Sequence, residues 1–159
     1  MKPSSRKKPP ISKPKPKRPR PVDHEAEYRL LITPHASDRG GEPTTLLVLE
    51  TTKSFATYRY ELSVEERVGE RSLYFKIRGL KAPQLSLPSS GHAEFVREYE
   101  GLKGTFEVSI EGLDGAVNSF TVRIGPAKVQ ILKSPGQRTV ELITERSHWY
   151  RTNDDHARQ

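Results

Sequence analysis

The sequence predicts an all-β domain, an antiparallel β-sandwich of about seven to nine strands, carried behind a disordered basic N-terminal arm. Three observations lead there. Apolar residues alternate with polar ones at period two through most of the chain. Turn signals recur every ~8–12 residues. The excess positive charge is confined to residues 1–22, so the body is close to neutral.

The arm comes first. Residues 1–22 contain Lys2, Arg6, Lys7, Lys8, Lys13, Lys15, Lys17, Arg18 and Arg20 with no acid, and seven of the chain's 13 prolines. Proline fixes φ, removes a donor and biases the residue before it toward extended backbone, so helix and ladder are both disfavoured. Like charges and a near absence of apolar side chains complete the pattern of an extended, disordered segment. Nine of the 27 Lys and Arg lie here, leaving 18 against 20 acidic groups in the remainder. The hydrophobic content of 33% is below the ~45–50% of typical globular domains because this segment buries almost nothing.

The body divides into short alternating runs. Residues 27–33 and 44–50 open it, and Leu46, Leu47, Val48 and Leu49 are apolar on both faces, which predicts a central strand. A hairpin follows, with Tyr58, Tyr60, Leu62 and Val64 opposite Leu73, Phe75 and Ile77 and a turn expected over 65–70. Further strands are expected at 84–87 and 93–99. The clearest hairpin joins Phe106, Val108 and Ile110 to Phe120, Val122 and Ile124. Its Asp114-Gly115 pair is the composition of a type I′ turn, which needs positive φ at both central residues. Residues 128–132 and 139–144 close the series, although 138–150 fits either helical or strand periodicity. The expected organisation is an arm at 1–22, a sandwich at 23–150 and a polar tail at 151–159.

The stretch Leu102-Lys103-Gly104-Thr105-Phe106-Glu107-Val108-Ser109-Ile110, with its turn and the Phe120-to-Ile124 strand, resembles the last two strands of immunoglobulin-like and fibronectin type III domains. The chain departs from the immunoglobulin pattern in having no cysteine and in placing Trp149, its one tryptophan, near the C-terminus. The resemblance implies a sandwich that binds partners or acts as a spacer; fold does not fix function.

Chemistry is sparse. Without cysteine there is no disulfide, Cys-ligated zinc or thiol nucleophile. His24, His35, His92, His148 and His156 lack metal-site spacing, and Asp154-Asp155-His156 reads as a solvated run. No nucleophile elbow or phosphate-cradling loop occurs, and Ser89-Ser90-Gly91-His92 reads as a turn. The chain is therefore expected to be non-catalytic, to need no cofactor or metal, and, with no signal-like apolar segment after its basic start, to be cytoplasmic.

Two kinds of contact remain. Lys7, Lys8, Lys13, Lys15, Lys17, Arg18 and Arg20 are candidates for contact with a polyanion, either loosely with acidic partners or as sequence-independent nucleic-acid binding through counterion release. The arm has no aromatic to stack on bases, and its Lys13, Pro16 and Pro19 spacing matches a polyproline ligand only as any Lys/Pro tract does. On the body, Tyr74, Lys76 and Arg78 share the charged face of one strand and form the candidate interface with another protein.

Overall fold

The computed structural model describes residues 10, 26–36, 38, 40–82, 90–136 and 138–149. Nine strands are present among them: β1 (Tyr28–His35), β2 (Thr44–Phe55), β3 (Glu61–Val68), β4 (Ser72–Lys81), β5 (Gly91–Tyr99), β6 (Gly104–Glu111), β7 (Val117–Ile124), β8 (Val129–Lys133) and β9 (Val140–Ile143). They form one hydrogen-bonded sheet in the order β8-β7-β6-β4-β3-β5-β2-β1-β9. The expected arm apart from Pro10, the strand at 84–87 and the tail lie outside the described residues.

The sheet is mixed, which corrects the antiparallel expectation. β1 with β9, β4 with β6 and β3 with β5 run parallel. The cause is the path of β5. It leaves the β3-β4 hairpin to pair antiparallel with β2, so β6 returns beside β4 in the same direction. Parallel neighbours always require such a crossover.

The halves β8-β7-β6-β4-β3 and β5-β2-β1-β9 meet at a single backbone pairing, Glu61 with Glu94. What joins them otherwise is the core. Leu73, Phe75 and Ile77 of β4, Phe106, Val108 and Ile110 of β6, and Phe120, Val122 and Ile124 of β7 pack in one cluster with Leu30, Ile32, Leu47, Leu49 and Phe95 of the other half. The Phe75 and Phe95 rings meet edge to face across the interior, centroids 6.0 Å apart. At one rim, buried Asn118 of β7 donates through Nδ2 to Thr139 Oγ1 at 2.9 Å and accepts from the Thr139 N–H at 3.0 Å, tying β7 to the approach to β9.

Local departures have physical reasons. The β3-β4 turn is at Gly69, whose N–H donates to the Ser72 carbonyl at 2.8 Å, rather than over 65–70. The charged run there is strand, because Glu65 and Arg67 face solvent beside Lys76 and Tyr74. Tyr58 and Tyr60 precede β3 instead of belonging to it. Tyr60 packs on Phe55 at 5.1 Å, while Tyr58 is exposed.

The β6-β7 hairpin forms, but not on a type I′ turn. Only Gly115 has positive φ, at 82°, and its N–H donates to the Gly112 carbonyl at 3.1 Å. Asp114 stays in ordinary backbone and its Oδ1 accepts from the Ala116 N–H at 3.0 Å. That is a longer loop closed by one left-handed glycine. The ambiguous C-terminal stretch splits into β9 and one helical turn at 146–149.

Replacing Phe75 by Ala is expected to lower stability by ~3–5 kcal/mol in denaturant unfolding, the cost of a large buried aromatic. A cycle with Phe95→Ala should show a coupling of ~0.5–1.5 kcal/mol if the rings bridge the halves as described. Strict additivity would mean that they do not.

Candidate functional site

The two halves present opposite outer surfaces, and the sequence sets the difference. On the β1-β2-β9 side the outward residues are themselves apolar or paired. Leu31, Ile143 and Trp149 cluster with Val48, and Trp149 covers them from the helical turn. Beneath the same ring, Arg29 of β1 is 1% exposed and forms an ion pair with Glu50 directly opposite on β2, its guanidinium carbon 4.9 Å from the indole centroid. Burial is the largest influence on Glu50 and raises its carboxyl pKa from the ordinary 4.5, while Arg29 and then His92 pull it down and Glu94 pushes it up. His92 is held through Nδ1 to the Thr51 carbonyl at 2.8 Å. The covered face is structural.

The other outer face is open, and it carries the expected interface residues. Tyr74, Lys76 and Arg78 project from β4 on the side away from the core, as the period-two reading required. Each is held by a neighbour. Arg67 lies 5.9 Å from the Tyr74 ring centroid, Lys76 Nζ is 3.4 Å from Glu111, and Arg78 donates through Nε to Glu65 Oε2 at 3.1 Å. Glu65 also accepts from Arg67 at 3.0 Å. The hydrogen bonds from Arg78 and then Arg67 hold the Glu65 carboxyl below its usual pKa. Flanking β4 on this face, Ser109 and Ser119 share a hydrogen bond of 2.9 Å. The result is a polar surface with an aromatic in it, on which Lys76 and Arg78 each have a carboxylate neighbour.

A third feature is the seam between β3 and β5. Past the Glu61 and Glu94 pairing the strands part, and a cavity of about 350 Å³ opens between Val64, Lys81, Phe95, Val96 and Arg97. A bulge in β4, where Arg78 is the extra residue between the Ser63–Gly79 and Val64–Ile77 pairs and Gly79 has φ 145°, accompanies the parting. Such bulges sharpen local twist. The gap is bridged by side chains. Tyr99 donates its hydroxyl to Glu66 at 2.5 Å and Arg97 approaches the same carboxylate at 3.4 Å. Burial, and then the Glu66 carboxylate, push the Tyr99 hydroxyl pKa upward. Glu94 meets Arg59 at 3.7 Å. Glu66 with Arg97, and Glu94 with Arg59, are thus engaged with one another across the seam.

Lys7, Lys8, Lys13, Lys15, Lys17, Arg18 and Arg20 lie outside the described residues, as do His24, Ser89 and the Asp154-Asp155-His156 run. Among the described residues no cluster of three metal-ligating side chains occurs, and no helix is long and apolar enough to cross a membrane. One feature escaped the sequence reading. Residues 115–140 hold Arg123, Lys128, Lys133 and Arg138 without a single acid, and they build β7 and β8. Counting charge by segment within the body, rather than over all of it, would have revealed it.

The fold and its surfaces define a mixed, curled all-β domain. No family model, curated protein or solved structure matches the chain.

Three outcomes follow. Arg29→Met should cost ~3–5 kcal/mol in unfolding, because it strands a buried carboxylate, and Arg29→Met with Glu50→Leu should cost clearly less. A carboxyl with a raised folded pKa binds its proton more tightly when folded. Its contribution is complete below the unfolded pKa and is lost as pH rises through the folded one. Glu50→Gln should therefore gain stability relative to the parent as pH rises from 4.5, read from paired unfolding curves; a flat difference would mean that Arg29 and His92 fully offset the cost of burying the carboxylate. On the open face, Arg78→Ala should raise the Glu65 pKa toward its ordinary value in a carboxyl NMR titration.

Proposed function

We propose that this protein is a non-catalytic interaction module whose open sheet face meets another protein, with the basic segment at 1–22 adding loose electrostatic capture of acidic partners. The observation that carries this reading is the pre-positioned trio Tyr74, Lys76 and Arg78, fixed by Arg67, Glu111 and Glu65 on the face that Trp149 does not cover. Side chains already held in place lose less entropy on binding. The sequence resemblance of residues 102–124 to immunoglobulin-like domains, which commonly bind partners or act as spacers, is consistent with it.

A second reading is sequence-independent nucleic-acid binding through the arm. Its support is the run of nine cations without an acid, joined on the body by the acid-free segment at 115–140. It predicts affinity that falls steeply with salt.

One pair of experiments separates the two. Crosslinking in native extract should give the same protein partner for the intact chain and for a chain lacking 1–22, with roughly tenfold less capture for Tyr74→Ala. Unchanged capture by Tyr74→Ala would remove that face from the account. A low-salt mobility shift that is abolished by deleting 1–22, with a log–log salt slope of several units, would favour nucleic acid instead.

A further inference from the structure

Among the described residues β8 is the last strand of its half, with β7 as its one ladder neighbour. Its two faces differ. On the core side the row Phe106, Val122, Ile131 crosses β6, β7 and β8. Its first two members are buried, whereas Ile131, at the end of the hydrogen-bonded ladder, is 42% exposed. Leu132, the extra residue where the β7-β8 register shifts, is 47% exposed. On the outer side Gln130 lies beside Arg123 and Lys133 beside Thr121. Lys128 stands immediately before the strand. The edge thus combines open backbone groups, an unfinished apolar row and a cationic outer face in a stretch that lacks acids.

An edge strand with exposed aliphatics invites pairing, and lysine is a common guard against it. Which pairing the lysine blocks depends on what arrives. In a two-fold antiparallel pair of β8 strands, Lys133 of one copy would approach Lys128 of the other, setting cation against cation. A strand with acids on that face meets opposite charge instead. The same residues therefore disfavour a second copy and favour an acidic strand, so discrimination comes from repulsion as well as attraction. Nucleic acid would use the cations and leave Ile131 and Leu132 in water.

We propose that β8 is an acceptor edge for an extended segment of an acidic partner protein, which adds as a tenth strand with aliphatic side chains beside Ile131 and Asp or Glu beside Lys133, on the face that also carries Arg123 one strand further in. Main-chain hydrogen bonds to the edge supply affinity, and the alternate side chains supply specificity. The added aliphatics complete the row that stops at Ile131. This edge is separate from the Tyr74 face, and its role stands without that reading.

The test is NMR titration of the ¹⁵N-labelled full chain with three probes: a capped seven-residue peptide alternating Glu and Val, its Lys and Val counterpart, and a single-stranded oligodeoxynucleotide. The Glu/Val peptide is expected to shift amides of 120–124 and 129–133 and to leave β3 and β4 unmoved. It should bind at least about tenfold more tightly than the Lys/Val peptide, and Lys128→Glu with Lys133→Glu, both at exposed positions, should invert that preference. The proposal is overturned if the Glu/Val peptide leaves β8 unmoved, or if charge reversal does not alter the preference. It is equally overturned if the oligonucleotide binds β8 as tightly as the peptide, or if sedimentation shows a dimer that the charge reversal dissociates.

Discussion

One apolar interior shared by two half-sheets is the constraint on which the structure rests. The halves touch through a single backbone pairing, and the facing pair there is two glutamates, Glu61 and Glu94, which repel. The ladder alone would not hold them. What does is the inward row of large side chains on each strand, above all Phe75 against Phe95, with the polar ties of Asn118 to Thr139 at one rim and Tyr99 to Glu66 at another. Removing that apolar surface from water at about 25 cal/mol per Å² outweighs any single bond in the list.

The same closure determines which surfaces remain for partners. Curling places one face of every strand inside. The opposite faces then diverge in fate. That of β1, β2 and β9 lies under Trp149, with the Arg29 and Glu50 pair sealed beneath the indole. Those of β4, β6 and β7 stay open and polar, and they lead outward to the β8 edge. A buried ion pair is weak support for stability, since desolvation offsets most of its attraction. Here the pair joins residues directly opposite on β1 and β2, and a slip of one position would turn every side chain of β1 to the wrong face.

Much of this was legible in the residues. Period-two alternation placed Leu73, Phe75 and Ile77 inside and Tyr74, Lys76 and Arg78 outside, and the Leu46-to-Leu49 run marked β2 as central to its half. Alternation says nothing about which strand lies next to which, so the parallel neighbours of β4 and β1 were not readable. Nor was the charged run at Glu65 and Glu66 recognisable as strand. Its acids are satisfied by Arg78 and Tyr99, residues distant in sequence. Trp149 looked like a terminal aromatic because the face it covers forms only after β9 pairs with β1. The cationic β7-β8 edge was hidden by averaging, its charges offset by acids elsewhere in a near-neutral body.

The claim that one core unites both halves is tested most directly by native-state hydrogen exchange in graded denaturant. Amides of Leu30 and Leu49 report one half, and those of Val108 and Val122 report the other. The account predicts that the four opening free energies converge on the same global unfolding value as denaturant rises. A half whose amides exchange at a distinctly lower free energy, while the other stays protected, would show two separate cores and contradict it.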